Sequence, residues 1–338
     1  MYTKRRIVEL LKETDEAAIR DLFRHADEVR KEFAGDAVHL RGLIEFSNYC
    51  RRDCLYCGLR RSNGKAVRYR MEVPEILAQA AYAKSLGFHT VVLQSGEDPY
   101  YTAKVLGSLV RRLKEDLGLA VTVSVGERTY EEYKTIREAG ADRYLLRFET
   151  TDPVLFKALK PDSHHAKRFL CLDWLRKLGY QVGSGNMVGL PGQSMESLAD
   201  DILKFQELDL DMIGLGPFIS HPDTPLAGCA NGSMNMVLKV TAITRIVTRN
   251  AHMPATTASG TLDPEGRQKV LRCGANVLMP NLTPRQYREH YLIYPDKICI
   301  EEEPAQCRSD AENMAAALGR TIAADAGHSL KMAHLQQP

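Results

Sequence analysis

Three cysteines within eight residues, Cys50-Arg-Arg-Asp-Cys54-Leu-Tyr-Cys57, constrain this chain more than any other feature. The C-x3-C-x2-C spacing lets three thiolates turn toward one point. Thiolates are soft ligands, suited to iron–sulfur clusters, zinc or cuprous copper. With only three supplied, a 4Fe–4S cube held here keeps one iron open to a ligand that is not protein. A disulfide between cysteines this close in sequence would strain its preferred geometry. A structural zinc site needs a fourth ligand, commonly a second C-x2-C or an H-x3-H pair. Neither is present, and His39 upstream stands alone.

Length and charge bound the class. The 338 residues suit one large α/β barrel or two ordinary domains, and 44% hydrophobic content supports a substantial core. A formal net charge of +2 implies no bulk attraction to nucleic acid or membrane. The opening Met1-Tyr-Thr-Lys-Arg-Arg-Ile reads as no signal peptide. No apolar stretch is long enough to span a bilayer. Eight cysteines without an export signal indicate a reducing, cytoplasmic setting.

Helical spacing of Ile7, Leu10, Leu11, Ile19, Leu22, Phe23 and Val29 predicts an N-terminal helical extension over 1–36, a lid or buttress. A strand–helix rhythm then occupies 37–290. Candidate strands are Leu40–Glu45, Thr90–Leu93, Val121–Val125, Tyr144–Phe148, Val182–Val188, Met212–Gly216, Pro254–Thr257 and Asn276–Met279. Helical stretches lie near 75–86, 103–117, 129–139, 166–178, 195–208, 234–248 and 264–272. Pro74 suits a first helical position, and Gly87, Gly140 and Gly179 suit helix stops. Eight repeats of strand and helix predict a complete (β/α)8 TIM barrel, with a doubly wound open sheet as the alternative. Residues 291–338 read as a C-terminal segment closing the barrel, helical after Ala305 and frayed near Gln336-Gln-Pro338.

Strand parity predicts what fills the barrel. In Arg143-Tyr-Leu-Leu-Arg-Phe-Glu149 the apolar Tyr144, Leu146 and Phe148 alternate with Arg143, Leu145, Arg147 and Glu149. The second set then faces the axis. In Val121-Thr-Val-Ser-Val125, Thr122 and Ser124 share the face opposite the valines. Unpaired buried charge is too costly for a dry core. The expectation is a polar cavity for an anionic or zwitterionic ligand; the alternative is a closed Arg–Glu network plugging the axis. The cysteine loop, Gln94-Ser-Gly-Glu-Asp98, Gly126-Glu127, Glu149, Gly189-Leu-Pro-Gly192 and Gly216-Pro217 all follow strands. They therefore fall on the C-terminal face, where barrel enzymes place their chemistry.

The cysteine loop after strand one resembles that of the radical S-adenosylmethionine superfamily, and Ser95-Gly96-Glu97 is similar to its strand-two GGE element. Further motifs resemble the HydE family of FeFe-hydrogenase maturases within it. These are Phe46-Ser-Asn-Tyr-Cys-Arg-Arg-Asp-Cys-Leu-Tyr-Cys-Gly-Leu-Arg60, Gln94 to Tyr101, Ala141 to Arg147, Gly214-Leu-Gly-Pro-Phe218, Pro254-Ala-Thr-Thr257 and Arg272-Cys-Gly-Ala-Asn276. The resemblance runs from about Val38 to about Ile300. It implies a 4Fe–4S cluster on Cys50, Cys54 and Cys57, with the methionyl amine and carboxylate of S-adenosyl-L-methionine on the open iron. Electron transfer would cleave a carbon–sulfur bond and yield a 5′-deoxyadenosyl radical. Tyr56, Gln94, Ser95, Glu149, Arg168 and Met187 match cofactor-binding positions. Arg143, Arg147, Thr122, Thr256, Thr257 and Tyr291 match the substrate side. The implied substrate is a small, cysteine-derived iron carbonyl cyanide precursor of the hydrogenase H-cluster. Implied partners are an electron donor such as ferredoxin or flavodoxin, and other maturases. Alternatives are another radical enzyme of similar architecture, such as methylornithine synthase or biotin synthase, and a non-enzymatic iron–sulfur carrier.

The chain departs from the resemblance in two places. Some relatives carry a second three-cysteine site, C-x7-C-x2-C; here Cys299 and Cys307 are followed by Asp310. Two thiols without a cluster are the favoured reading of that pair, on ligand softness. Phe148 stands where the resemblance implies a His, on the helix-facing side of its strand. Cys171, Cys229 and Cys273 have no spacing partner and read as packing residues. The basic run Arg51, Arg52, Arg60, Arg61, Lys65, Arg68 and Arg70 brackets the cysteine loop. It reads as a solvated rim or as a docking surface for a donor or partner maturase.

Overall fold

The computed structural model describes residues 2–331; the Gln336–Pro338 tail lies outside the described residues. Two helices come first, α1 (Lys4–Lys12) and α2 (Glu16–Ala34). Strands β1 (His39–Leu40) and β2 (Gly42–Ser47) follow. Strand and helix then alternate through α3 (Val73–Ser85), β3 (Thr90–Ser95), α4 (Ala103–Glu115), β4 (Ala120–Ser124), α5 (Tyr130–Glu138) and β5 (Arg143–Leu145). Next come α6 (Pro153–Leu159), α7 (His165–Lys177), β6 (Gln181–Val188), α8 (Met195–Glu207), β7 (Met212–Pro217) and α9 (Met234–Thr248). The series ends with α10 (Thr257–Leu262), α11 (Gly266–Arg272), β8 (Val277–Leu278), α12 (Arg285–Arg288) and α13 (Pro304–Ala316).

Local chemistry fixes these elements. Pro74 lies in the first turn of α3, where Glu72 and Glu75 form a reciprocal capping box. Thr129 and Glu132 do the same for α5. Gly87, Gly140 and Gly179 all take positive φ beyond their helices, as the sequence predicts.

Strands β2 to β7 form one parallel sheet in sequence order, and β1 pairs with β8. Short backbone bridges complete the circle. Ile213 N donates to the His252 carbonyl, Ala255 N to Val277, Arg41 N to Leu278 and Leu43 N to Pro280, at 2.9, 2.9, 3.0 and 2.9 Å. Hydrogen bonds therefore run through all eight strand positions of a (β/α)8 barrel. The seventh position is reached by His252 to Ala255 rather than Pro254 to Thr257, because Thr256 already caps α10. The fourth strand stops at Leu145, yet Glu149 still bridges Asn186 beyond it.

The N-terminal helices lie outside the barrel, against α8 and α9, as a buttress. Lys4 pairs with Asp200 at 2.6 Å, and Lys239 on α9 donates to the Leu11 carbonyl at 3.2 Å. Phe148 stacks on Phe169 and Phe205 on the helix side of the sheet, where parity puts it.

Residues 322–329 cross the N-terminal mouth and floor the barrel. Ile322 bridges Val38, the Ala326 carbonyl accepts from Thr90 Oγ1 and Arg143, and Gly327 O accepts from Arg41. Ser329 donates from its hydroxyl to Asp211 and from its backbone to Gln181. Three histidines are gathered here. The rings of His39 and His252 meet edge to face at 4.8 Å, and His252 Nε2 contacts the His328 carbonyl at 2.9 Å.

Burial holds His39 down to about 4, with Asp325 opposing and Arg41, Arg143 and Arg320 reinforcing. Burial also depresses His252, beside Arg41 and His39, and His328, beside Arg143, Lys114 and Asp142. Neutral histidines are thus favoured in the folded state, while the unfolded chain takes up protons near pH 6.5. Stability is fully present above that value and is expected to fall between about pH 6.5 and about pH 4. The slope is about 1.4 kcal/mol per pH unit for each histidine concerned. Urea unfolding across this range should show it, and a His39→Gln, His252→Asn double variant should flatten it. An unchanged slope in that variant would exclude the floor as its origin.

Candidate active site

The barrel is hollow at its C-terminal half. A cavity of about 340 Å³ runs from the cysteine loop down toward the floor. Cys54, Tyr56 and Cys57 form one wall of its mouth. Gln94, Thr122, Arg147, Glu149 and Met187 line its sides, with Thr256 and Thr257 across from them. Ten of the residues expected from the sequence therefore meet in one space.

The other expected residues stand around that space. Cys50 lies behind the mouth, where its sulfur accepts backbone N–H bonds from Arg52 and Glu97, both at 3.4 Å. Ser95 turns its hydroxyl to the Gly96 carbonyl at 2.7 Å. Arg168 is buried, donating to Glu127 and to the Arg147 carbonyl, each at 2.8 Å. The buried Tyr291 stands behind the lining, where burial pushes its hydroxyl well above the usual range and Gln94 beside it opposes that shift. Arg143 does not line the cavity. It belongs to the floor, bonded to Gln181 at 3.2 Å and to the Ala326 carbonyl at 2.6 Å. It shares a parity with Arg147 but lies four residues nearer the N-terminal end.

Close packing holds the mouth together. A Cβ on Gly96 would stand 2.2 Å from the Tyr49 carbonyl and 2.8 Å from Cys50 Cβ, so only glycine lets the strand-two loop approach the cysteines. Beyond the end of the fourth strand, Glu149 takes φ +70°, a costly conformation for a non-glycine residue and one concentrated at functional sites. Its carboxylate pairs with Arg147 at 3.0 Å.

The lining is charged but not saturated. Among the described residues, Thr122 Oγ1, Arg147 Nε and Arg41 Nε are buried without a hydrogen-bond partner. Lys297 and Glu45 add a second ion pair on the wall, at 2.5 and 2.7 Å. Parity along strand one, with Arg41, Leu43 and Glu45 on one face, signals two of these residues, yet sequence reasoning passed over them. Tyr294 and Lys297 come from an irregular segment with no period to reveal them.

The cysteines are free, and although among the described residues no three His, Cys, Asp or Glu side chains close on a single metal ion, three soft thiolates from one loop are in their chemistry the donor set of a 4Fe–4S cluster. The three sulfurs lie close enough to influence one another's ionisation. Burial raises the Cys50 thiol to about 11 and pushes Cys57 up as well. N–H donors on Cys50 favour a bound thiolate. The second pair differs. Cys299 is lowered to about 7 by a hydrogen bond from Cys307, with burial opposing and Arg267 assisting. Asp310 instead accepts from Gln306 at 2.7 Å.

The basic rim is largely neutralised. Arg51 and Arg52 pair with Glu97, Arg60 with Asp53, Lys65 with Asp223 and Arg70 with Asp98. Arg68 donates to four backbone carbonyls.

The profile of the Radical SAM superfamily matches residues 44–205. The FeFe hydrogenase maturase subunit HydE of Thermotoga maritima is 50% identical over 326 residues, 96% of this chain and 93% of its own. This chain belongs to the HydE family of radical SAM enzymes. The 3-methylornithine synthase of Methanosarcina acetivorans is 30% identical over 274 residues, 80% of this chain and 76% of its own. The crystal structure of methylornithine synthase PylB superposes with a TM-score of 0.83 at 27% identity, covering 95% of this chain and 94% of that one. The maturase HydG superposes at 0.70 with 20% identity, over 82% of this chain and 64% of that one, a likeness of fold. In this chain the cysteine loop and the hollow lumen open onto one cavity. Among the described residues, no helix is long and apolar enough to cross a membrane.

A buried hydroxyl without a partner costs about 1 kcal/mol or more. Thr122→Val keeps the shape and removes the hydroxyl. The ligand-free variant is expected to be about 1 kcal/mol more stable. Urea midpoints test this, and a loss of stability would show that the hydroxyl is satisfied in solution.

Proposed function

We propose that this chain is a maturase acting in FeFe-hydrogenase H-cluster assembly. In this reading Cys50, Cys54 and Cys57 hold a 4Fe–4S cluster, and a small cysteine-derived iron carbonyl cyanide precursor is the substrate. The observation that carries it is the sharing of one cavity by Cys54 and Cys57 with Arg147, Thr122 and Thr256. When bound, the cluster and S-adenosyl-L-methionine supply an electron and a carbon-centred radical; the chain supplies position and surroundings.

Tyr56, Gln94, Ser95, Glu149, Arg168 and Met187 are assigned to S-adenosyl-L-methionine. Arg168 is held by Glu127 and the Arg147 carbonyl, which keeps its guanidinium close to Glu97 and Tyr56. Arg147, Thr122, Thr256 and Thr257 are assigned to the substrate, with Tyr291 behind Gln94. An Arg fork suits a carboxylate. Arg143 is assigned to holding the floor under that ligand. The walls exclude water from a reactive site. They also fix reacting atoms where a misplacement of about 1 Å costs on the order of a hundredfold in rate. A carrier would need neither this cavity nor its unsaturated donors. Identity of 50% to the maturase subunit, against 30% to methylornithine synthase, favours the maturase among radical enzymes. An electron donor such as ferredoxin or flavodoxin and other maturases are the proposed partners, in a reducing cytoplasm.

Anaerobic reconstitution tests the reading. Cys54→Ala should lose both the brown chromophore and the formation of 5′-deoxyadenosine; retention of either refutes the cluster assignment. Arg147→Ala should keep cofactor cleavage but lose at least tenfold in product formed per cleavage. Intact coupling in that variant would refute the cavity assignment.

A further inference from the structure

The geometry points to Arg52 as a positioning residue: its guanidinium, gripped by Glu97 and Glu127, fixes two backbone N–H groups on the Cys50 sulfur and so raises the reduction potential of a cluster bound there. The inference rests on the reading of the cysteine loop given above.

Arg52 lies between two of the cysteines, yet its side chain turns inward and is only 15% exposed. All three guanidinium nitrogens are used. Nε donates to Glu97 at 2.6 Å, Nη2 to Glu127 at 2.8 Å, and Nη1 to the Asp162 carbonyl at 2.8 Å. The two carboxylates are themselves tied together, since the Glu127 N–H donates to Glu97 at 3.0 Å and Arg168 donates to Glu127. Burial disfavours a charged Glu97, but Arg168 and Arg52 outweigh it and hold the carboxyl below its usual range.

The same two residues meet a second time, at the sulfur. Backbone N–H groups of Arg52 and of Glu97 both point at Cys50 Sγ, each at 3.4 Å. One side-chain pair thus spans the two segments whose amides converge on one ligand atom. Hydrogen bonds to cluster sulfurs are among the determinants of potential; donors to a thiolate stabilise the reduced, more negative state. Without the pair, the cysteine loop keeps only the Arg51 bonds to the strand-two and strand-three ends, its backbone N–H on the Glu97 carbonyl among them, and the buried carboxylates lose a counter-charge. Arg51 also donates to Glu97, at 3.2 Å, and to the Glu127 carbonyl, at 3.0 Å, but its side chain is half exposed and meets one carboxylate rather than two.

The test is a redox titration of reconstituted protein without S-adenosyl-L-methionine, read by electron paramagnetic resonance. Arg52→Met should shift the reduced-to-oxidised ratio about tenfold toward oxidised at fixed potential, which is about 59 mV for one electron. Arg52→Lys keeps the charge but not the three-pronged fork, and should recover less than half of that shift. Arg51→Met removes the same formal charge from the exposed edge and should change the ratio less than twofold. Hydrogen–deuterium exchange on the metal-free protein provides an independent reading: amides 52 and 97 should exchange faster in both Arg52 variants. Wild-type behaviour of Arg52→Lys in both measurements would reduce the effect to charge and overturn the clamp, as would unchanged potential and exchange in Arg52→Met. If the wild-type chain takes up no iron, the functional reading fails, while the exchange measurement still decides whether the clamp exists.

Discussion

Charge inside a closed sheet has to be answered by other charge, by backbone or by ligand, because desolvation outweighs any isolated attraction. This barrel uses all three along its axis. At the floor, Arg143 and Arg41 are answered by carbonyls of the chain's own C-terminal segment. At mid-height, Arg147 meets Glu149, and Lys297 meets Glu45. Between them, Thr122 Oγ1 and Arg147 Nε have no protein partner among the described residues. The lumen is therefore neither a plugged ion-pair network nor a dry core. It is a partly satisfied polar chamber, and the cysteine loop sits at its entrance.

That arrangement explains why the mouth is so tightly bound. The cysteine loop has no regular structure to hold it, so its position comes from the strand-two and strand-three ends. Glu97 and Glu127 grip it through Arg52, and Gly96 permits the backbone to come within contact distance. The basic residues around the loop are mostly committed to carboxylates or backbone carbonyls. What looks in sequence like a positive rim is thus largely internal scaffolding.

The sequence carried the barrel because a two-residue period and a 3.6-residue period alternate cleanly, with capping residues and helix stops between them. It carried the polar lumen because one strand, Arg143 to Glu149, puts its charges on a single parity. Parity alone fails on depth: it gives the face of a side chain but not its height, so Arg143 and Arg147 looked equivalent and are not. It also fails where the chain is irregular. Lys297 and Tyr294 reach the cavity from a segment fixed by tertiary bonds, chiefly that of Lys297 to Glu45. Short helices such as α6 and α10 were missed because one or two turns leave too little pattern to read, although Asp152 caps the first of them.

The central claim is that three cysteines leave one iron for a small molecule standing over a polar chamber. The most direct test is electron–nuclear double resonance on the reduced protein with S-adenosyl-L-methionine labelled isotopically at its amine and carboxylate. The account predicts coupling of both labels to the cluster, with Arg52 and Glu97 intact. Coupling to a side-chain nitrogen of the protein instead, or to neither label, would contradict it.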